Sequence, residues 1–211
     1  MDTREKVREL ARQYDRIAIA ACLPMIYEEA HALKPKLIVE LGVSREALAN
    51  KVLAFVAEEN GSTFFSCDLY NFSDVCKYPK WSFFQVEARR FAYLFREICN
   101  GRNIAPSVDL LFVDCDERYE TTLGILMLWV PFLVDGSTIM LRCTNLAKEL
   151  IYKDRRSTNL GWDNERGVIR AAELVCGVQF DETKEFSGKQ KGYEVKHIPW
   201  GAGLTVLRRE I

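Results

Sequence analysis

The feature that most constrains this chain is a repeated alternation of short apolar runs with segments of helical spacing. "KLIVELG" (36–42), "TFFSCD" (63–68), "WSFFQVE" (81–87), "VDLLFVD" (108–114) and "GSTIMLR" (136–142) each have the length and apolar density of a buried strand. Helical segments separate them. The first covers about 45–59, with Ser44 as its cap and Asn60-Gly61 as its stop. Phe91, Leu94, Phe95 and Ile98 mark a second, ended by Asn100-Gly101, and about 119–133 forms a third. Residues from about 3 to 33 show helical spacing broken near Pro24, so 1–34 reads as one or two leading helices. After a polar stretch, a helix near 167–177 precedes "YEVKHIP" (193–199), a "WGAG" turn and "LTVLRR" (204–209), which read as a closing hairpin. Strand–helix alternation of this kind predicts an α/β fold: a mostly parallel sheet with helices on both faces, the hairpin adding an antiparallel C-terminal strand at one edge. No repeat or linker divides the chain, so 1–211 reads as a single domain.

Composition removes several function classes. A net charge of −1 gives no broad attraction for nucleic acid or an anionic membrane. No apolar run approaches the length of a membrane span, and "MDTREKVREL" is charged and helical rather than a signal peptide. Seven cysteines without paired spacing argue against a disulfide framework and for a reducing, cytoplasmic setting. With no CxxC and only His31 and His197, no metal site is expected. The expected partner is a small molecule. A homo-oligomer remains open.

Ligands of open α/β sheets sit outside the carboxyl ends of the strands, so the residues there matter most. They are Glu40 and Gly42, Asp68, Glu87, then Asp114 and Asp116, and lastly Arg142 and Cys143. Acids at four successive strand ends fit an adenosine-bearing cation. Asp68 can accept from both ribose hydroxyls, Glu87 from an adenine amine, and Glu40 from an amino group. Gly42 lets backbone approach the ligand without a Cβ. A ligand without phosphate needs no array of glycines.

The order "VELGVS", "CDLY", "FFQVE", "VDLLFVDCDERYE", "GSTIMLRCTN" and "IPWGAGLTVLRR" resembles class I S-adenosylmethionine-dependent methyltransferases, in particular a small bacterial branch with a D-G-D-H-x-Y-E-like segment after strand four. The resemblance implies a Rossmann-like, seven-stranded sheet with a reversed last strand. It implies S-adenosylmethionine as cofactor, held by Glu40, Gly42, Ser44, Asp68 and Glu87, with Asp114 beside the reacting centre. Three departures stand out. Arg45, Glu46 and Ala47 occupy the place of further glycines. Cys115 and Glu117 stand where glycine and histidine are expected, and Arg142-Cys143 where an oxygen ligand for a metal is expected.

Asp114, Asp116 and Arg142 are therefore the catalytic candidates. Arg142 would supply positive charge itself, by pairing with Asp114 or holding an anionic acceptor. Structural readings compete at several positions. Glu46 either crowds the cofactor or stabilises a helix dipole; Asp114 either serves the chemistry or caps the following segment. Tyr119 and His197 read as packing residues. Arg155 and Arg156 read as a solvated pair or a hold on an anionic substrate, and Trp162 as a loop anchor or an acceptor wall. The stretch 153–166 is expected to be a mobile lid. The leading functional expectation is methyl transfer from S-adenosylmethionine to an oxygen or nitrogen of a small-molecule acceptor. Its rivals are a catalytically lapsed or repurposed binding or assembly protein and a nicotinamide dehydrogenase, for which "GVSREA" supplies only one of the three required glycines.

Overall fold

The computed structural model describes residues 2–151, 156–158 and 163–210. The leading elements are α1 (Thr3–Gln13), a 3₁₀ turn (Ala18–Cys22) and α2 (Leu23–Leu33). The alternating body follows: β1 (Leu37–Leu41), α3 (Leu48–Asn60), β2 (Thr63–Asp68), β3 (Trp81–Gln85), α4 (Ala88–Gly101), β4 (Val108–Val113), α5 (Tyr119–Trp129) and β5 (Leu133–Arg142). Two-residue strands β6 (Leu150–Ile151) and β7 (Ser157–Thr158) pair with each other. The chain continues through α6 (Gly167–Cys176), β8 (Phe186–Gln190), β9 (Tyr193–Ile198) and β10 (Leu204–Arg209).

The main sheet has the order β3-β2-β1-β4-β5-β10-β9-β8. Strands β1 to β5 are parallel, β10 is antiparallel to both β5 and β9, and β8 is antiparallel to β9. The sheet is mostly parallel, as the alternation implied, but it has eight strands instead of seven. The closing hairpin is not at the edge: β10 lies between β5 and β9, and β8 forms the edge.

Alternate residues of each central strand feed two cores. Ile38, Leu110, Phe112 and Met140 pack with α1, α2 and α3 on one face. Val39, Leu41, Leu111, Val113, Ile139 and Leu141 pack with α4, α5 and α6 on the other. Because both faces are covered, the strands read as continuous apolar runs and not as alternating ones. Strand order reverses between β1 and β4, which opens a crevice at their carboxyl ends.

Prolines moved three expected boundaries. Pro24 opens α2 in its first turn, where a missing N–H is harmless, and the break falls earlier, at 14–17. Pro131 ends α5 at Trp129 and leaves a 3₁₀ turn (Val130–Phe132), so β5 starts at Leu133. No helix among the described residues is long and apolar enough to cross a membrane.

Candidate functional site

The loop after β1 is built around Gly42. Its N–H donates to the Cys67 carbonyl at 2.9 Å, and its φ is +96°. A Cβ there would lie 2.2 Å from the Asp114 carbonyl oxygen and 2.9 Å from the Cys115 Cα. Glycine is thus required by the close approach of the β1 and β4 loops. Ser44 is exposed and does not cap α3 directly. Its Oγ accepts from the Ala47 N–H at 3.2 Å, and the helix starts only at Leu48. Ala47 occupies the helix N-cap position in a left-handed conformation, φ 50° and ψ 38°. Glu46 lies before that cap with its side chain exposed, outside both the first helical turn and the cleft lining.

Asp68, at the end of β2, braces this loop. One carboxylate oxygen accepts from the Val43 N–H at 2.8 Å and the other from the Tyr70 N–H at 2.9 Å. Glu87 is the N-cap of α4, accepting from the Arg90 N–H at 3.3 Å and from Arg89 Nε at 3.0 Å. Partial burial pushes its carboxyl upward, but Arg89 and the two backbone N–H groups outweigh this and hold it below the usual range.

Glu40 is placed differently. Its parity on β1 matches Ile38, so its side chain faces α3 and is fully buried. Asn50 Nδ2 donates to it at 2.5 Å and the Ser66 hydroxyl at 2.6 Å; the Trp81 indole N–H donates in turn to Ser66 Oγ at 2.8 Å. Burial pushes the carboxyl up to about 8 despite those donors, with Asp114 and Asp68 adding to the rise. The Glu40 side chain is not among the residues lining the cleft.

The β4 and β5 ends bring the catalytic candidates together. Asp116 forms a two-point ion pair with Arg118, at 2.7 and 3.1 Å, which lowers its pKa. Arg142 is buried, with Nε 3.5 Å from Asp114 Oδ2. Burial opposes its charge, but the facing Asp114 carboxylate outweighs that and keeps it firmly protonated. Both thiols, Cys143 and Cys22, are pushed up by burial and face Arg142 uncharged, so Asp114 is the counter-ion. Glu117 stands where the resembling segment has histidine, and the sequence did not mark it as a site residue. Burial and Asp114 raise its pKa, and the Cys143 thiol lies 3.7 Å from its Oε1.

Gly42, Ser44, Asp68, Glu87, Asp114, Asp116 and Arg142 all line one cleft of about 680 Å³, within the size range of small-molecule sites. Tyr70 and Leu69 stand exposed at its edge, and nothing in their spacing marked them beforehand. Five carboxylates line the cleft against three guanidinium groups, a balance that favours a cationic ligand. Among the described residues no three His, Cys, Asp or Glu side chains converge to hold a metal ion.

Other residues fall outside the cleft. Arg170 stacks over the Tyr119 ring at 4.5 Å, at the start of α5. His197 is buried between Thr205 Oγ1 and the Glu182 carbonyl, each at 2.8 Å, and burial lowers its pKa. Arg156 pairs with Asp15 at 3.1 Å. Arg155, Trp162 and half of the 153–166 stretch lie outside the described residues. Its described end is anchored by Asn164, whose Nδ2 donates to the Cys143 carbonyl at 3.0 Å.

The sequence matches no family model and no curated protein sequence. Solved structures do match. A Podospora anserina methyltransferase with S-adenosylhomocysteine bound is 14% identical over 100% of this chain and 89% of its own, with a TM-score of 0.58. A TDP-rhamnose 3'-O-methyltransferase of calicheamicin biosynthesis is 13% identical over 98% of this chain and 92% of its own, with a TM-score of 0.53. The MycE methyltransferase of mycinamycin biosynthesis, with Mg and S-adenosylhomocysteine, is 11% identical over 89% of this chain; the match spans 49% of MycE, with a TM-score of 0.53. At these identities the likeness concerns the fold, and the chain has the Rossmann-like fold that these methyltransferases share.

Proposed function

We propose that this protein transfers a methyl group from S-adenosylmethionine to an oxygen or nitrogen of a small-molecule acceptor. The observation that carries this reading is the acid-rich cleft at the β1/β4 switch point, on a fold shared with methyltransferases. The bound cofactor would supply an electrophilic methyl on a sulfonium. The cleft suits such a group: its acid excess complements a cation, and it needs no phosphate cradle. Asp68 and Glu87 would hold the adenosine end, and the 42–47 loop the amino-acid end. Asp114, Glu117 and Arg142 would face the acceptor, whose placement at near-attack distance is the main catalytic task. Glu117 is the group best suited to take a proton from the acceptor, because its raised pKa makes it a stronger base than an exposed carboxylate. A metal does not fit here, since a guanidinium and a thiol follow β5 and neither ligates magnesium.

Calorimetry with S-adenosylmethionine, S-adenosylhomocysteine and NAD tests the reading. Binding of the sulfur ligands is expected, and Asp68→Ala should weaken it roughly tenfold or more through lost charge-assisted hydrogen bonds. No binding at millimolar concentration, or a preference for NAD, would sink it. The reading of a lapsed or repurposed binding protein draws on one observation: Glu87 and Asp116 already pair with Arg89 and Arg118. Cofactor binding without turnover in an acceptor screen would favour that alternative.

A further inference from the structure

The charges lining the cleft are not balanced by the cofactor alone. Five carboxylates against three guanidinium groups leave two negative charges over. S-adenosylmethionine, with a sulfonium, an ammonium and a carboxylate, brings one net positive charge. Pairing locates the remainder. Glu87 is matched by Arg89, Asp116 by Arg118 and Asp114 by Arg142. Asp68 is met by the Val43 and Tyr70 N–H groups. Glu117 is the acid left over. Among the described residues its carboxylate has no ion-pair partner; beside it are its own backbone N–H and the Cys143 thiol. Cys143 Sγ lies 3.7 Å from Glu117 Oε1 and 3.9 Å from Asp114 Oδ1, so two carboxylates flank one sulfur atom on the cleft wall. Burial keeps that thiol uncharged, and it neutralises neither acid. The sign continues outward. A hollow of about 340 Å³ that shares Arg118 with the cleft sets Glu120, Asp163 and Glu165 against Arg118 and Arg170.

We infer that the acceptor is a primary amine, bound as its ammonium ion between Asp114 and Glu117. The inference rests on the methyl-transfer reading and names the acceptor class within it. An ammonium group supplies the missing positive charge and carries three N–H donors, two of which the flanking carboxylates can accept. A neutral alcohol supplies a donor but no charge. An anionic acceptor would meet a guanidinium already held by Asp114, with an unmatched acid beside it. The same two acids handle the proton. An ammonium nitrogen has no lone pair, so Glu117 first takes one of its protons while Asp114 keeps hold of a second N–H. The freed lone pair then forms the N–C bond to the transferred methyl as the C–S bond breaks, and the electrons of that bond return to sulfur. The product is a methylammonium ion beside a neutral thioether, and the proton on Glu117 passes to solvent.

The test is calorimetry on the full chain near neutral pH, at constant ionic strength, with benzylamine as the probe. Benzyl alcohol and sodium benzoate are its neutral and anionic counterparts, and each is titrated with and without saturating S-adenosylhomocysteine. Benzylamine is expected to bind together with S-adenosylhomocysteine, with a dissociation constant on the order of 1 mM, and the other two at least about tenfold more weakly. This comparison needs no variant. Glu117→Gln keeps the side chain's size and should weaken benzylamine about tenfold, with S-adenosylhomocysteine affinity unchanged. Glu58→Gln removes an exposed charge on α3 outside the cleft and should leave benzylamine binding as it is. The inference is overturned if benzyl alcohol or benzoate binds as tightly as benzylamine, or if S-adenosylhomocysteine displaces the amine. Equal losses from Glu117→Gln and Glu58→Gln, or no loss from either, overturn it too. S-adenosylhomocysteine binding with no benzylamine binding up to about 50 mM removes the amine class and leaves methyl transfer to another acceptor standing. Failure to bind either S-adenosylmethionine or S-adenosylhomocysteine removes the methyl-transfer reading and the acceptor role together.

Discussion

A left-handed alanine is disfavoured by roughly 1–2 kcal/mol, and Ala47 is one, placed where α3 begins. Ala47→Gly should therefore stabilise the protein by about 1 kcal/mol, less whatever entropy glycine adds to the unfolded chain, read as a raised midpoint in urea unfolding. An unchanged or lowered midpoint would mean that neighbouring contacts hold the loop without strain. Gly42 behaves oppositely. Gly42→Ala forces a Cβ onto the Asp114 carbonyl and should lose about 3 kcal/mol or more, or prevent folding. Gly42 stood out in the sequence as the lone glycine after a strand. Its immediate cause, the approach of another loop, lies 72 residues further along the chain and has no local signature. Nor had the Glu40–Asn50–Ser66 contact: parity could place Glu40 on one face of β1, but not name what waits there.

At the scale of elements, the N-terminus of α4 carries two roles on one side chain. Glu87→Ala removes the cap and should lower stability by about 1 kcal/mol. Glu87→Gln keeps an acceptor oxygen for the cap but loses the charge. A drop in S-adenosylmethionine affinity for Glu87→Gln, with the melting temperature nearly unchanged, would separate ligand contact from capping; equal affinity would assign Glu87 to capping alone. The strands with both faces buried were legible because apolar runs survive any uncertainty about register. Strand β8, "FSGKQ", was not, because an edge strand with mostly exposed residues carries little apolar signal. The start of α3 was misplaced for a related reason: Ser44 has the chemistry of a cap but lies three residues before the cap, Ala47, and spends its hydroxyl on the Ala47 N–H.

At the scale of the molecule, Glu40 couples folding to pH. Its folded-state pKa, about 8, lies above the ordinary carboxylate value, so the folded protein binds a proton more tightly than the unfolded chain does. This contribution is fully present below the unfolded pKa of about 4.3 and is lost as pH rises through about 8. Glu40→Gln should leave stability little changed near pH 4 and raise it by a few kcal/mol near pH 8, seen as a flatter plot of melting temperature against pH. A parallel downward shift at every pH would show that the ionised carboxylate, and not its protonated form, holds Asn50 and Ser66 in place. The position of β10 between β5 and β9 has a consequence for how the chain is made. Synthesis delivers β5 long before its neighbour, and α6 and the β8–β9 hairpin must emerge first. Throughout that interval the growing polypeptide carries an open strand edge in the middle of its future sheet, where a nascent chain is most exposed to mispairing and to chaperone capture.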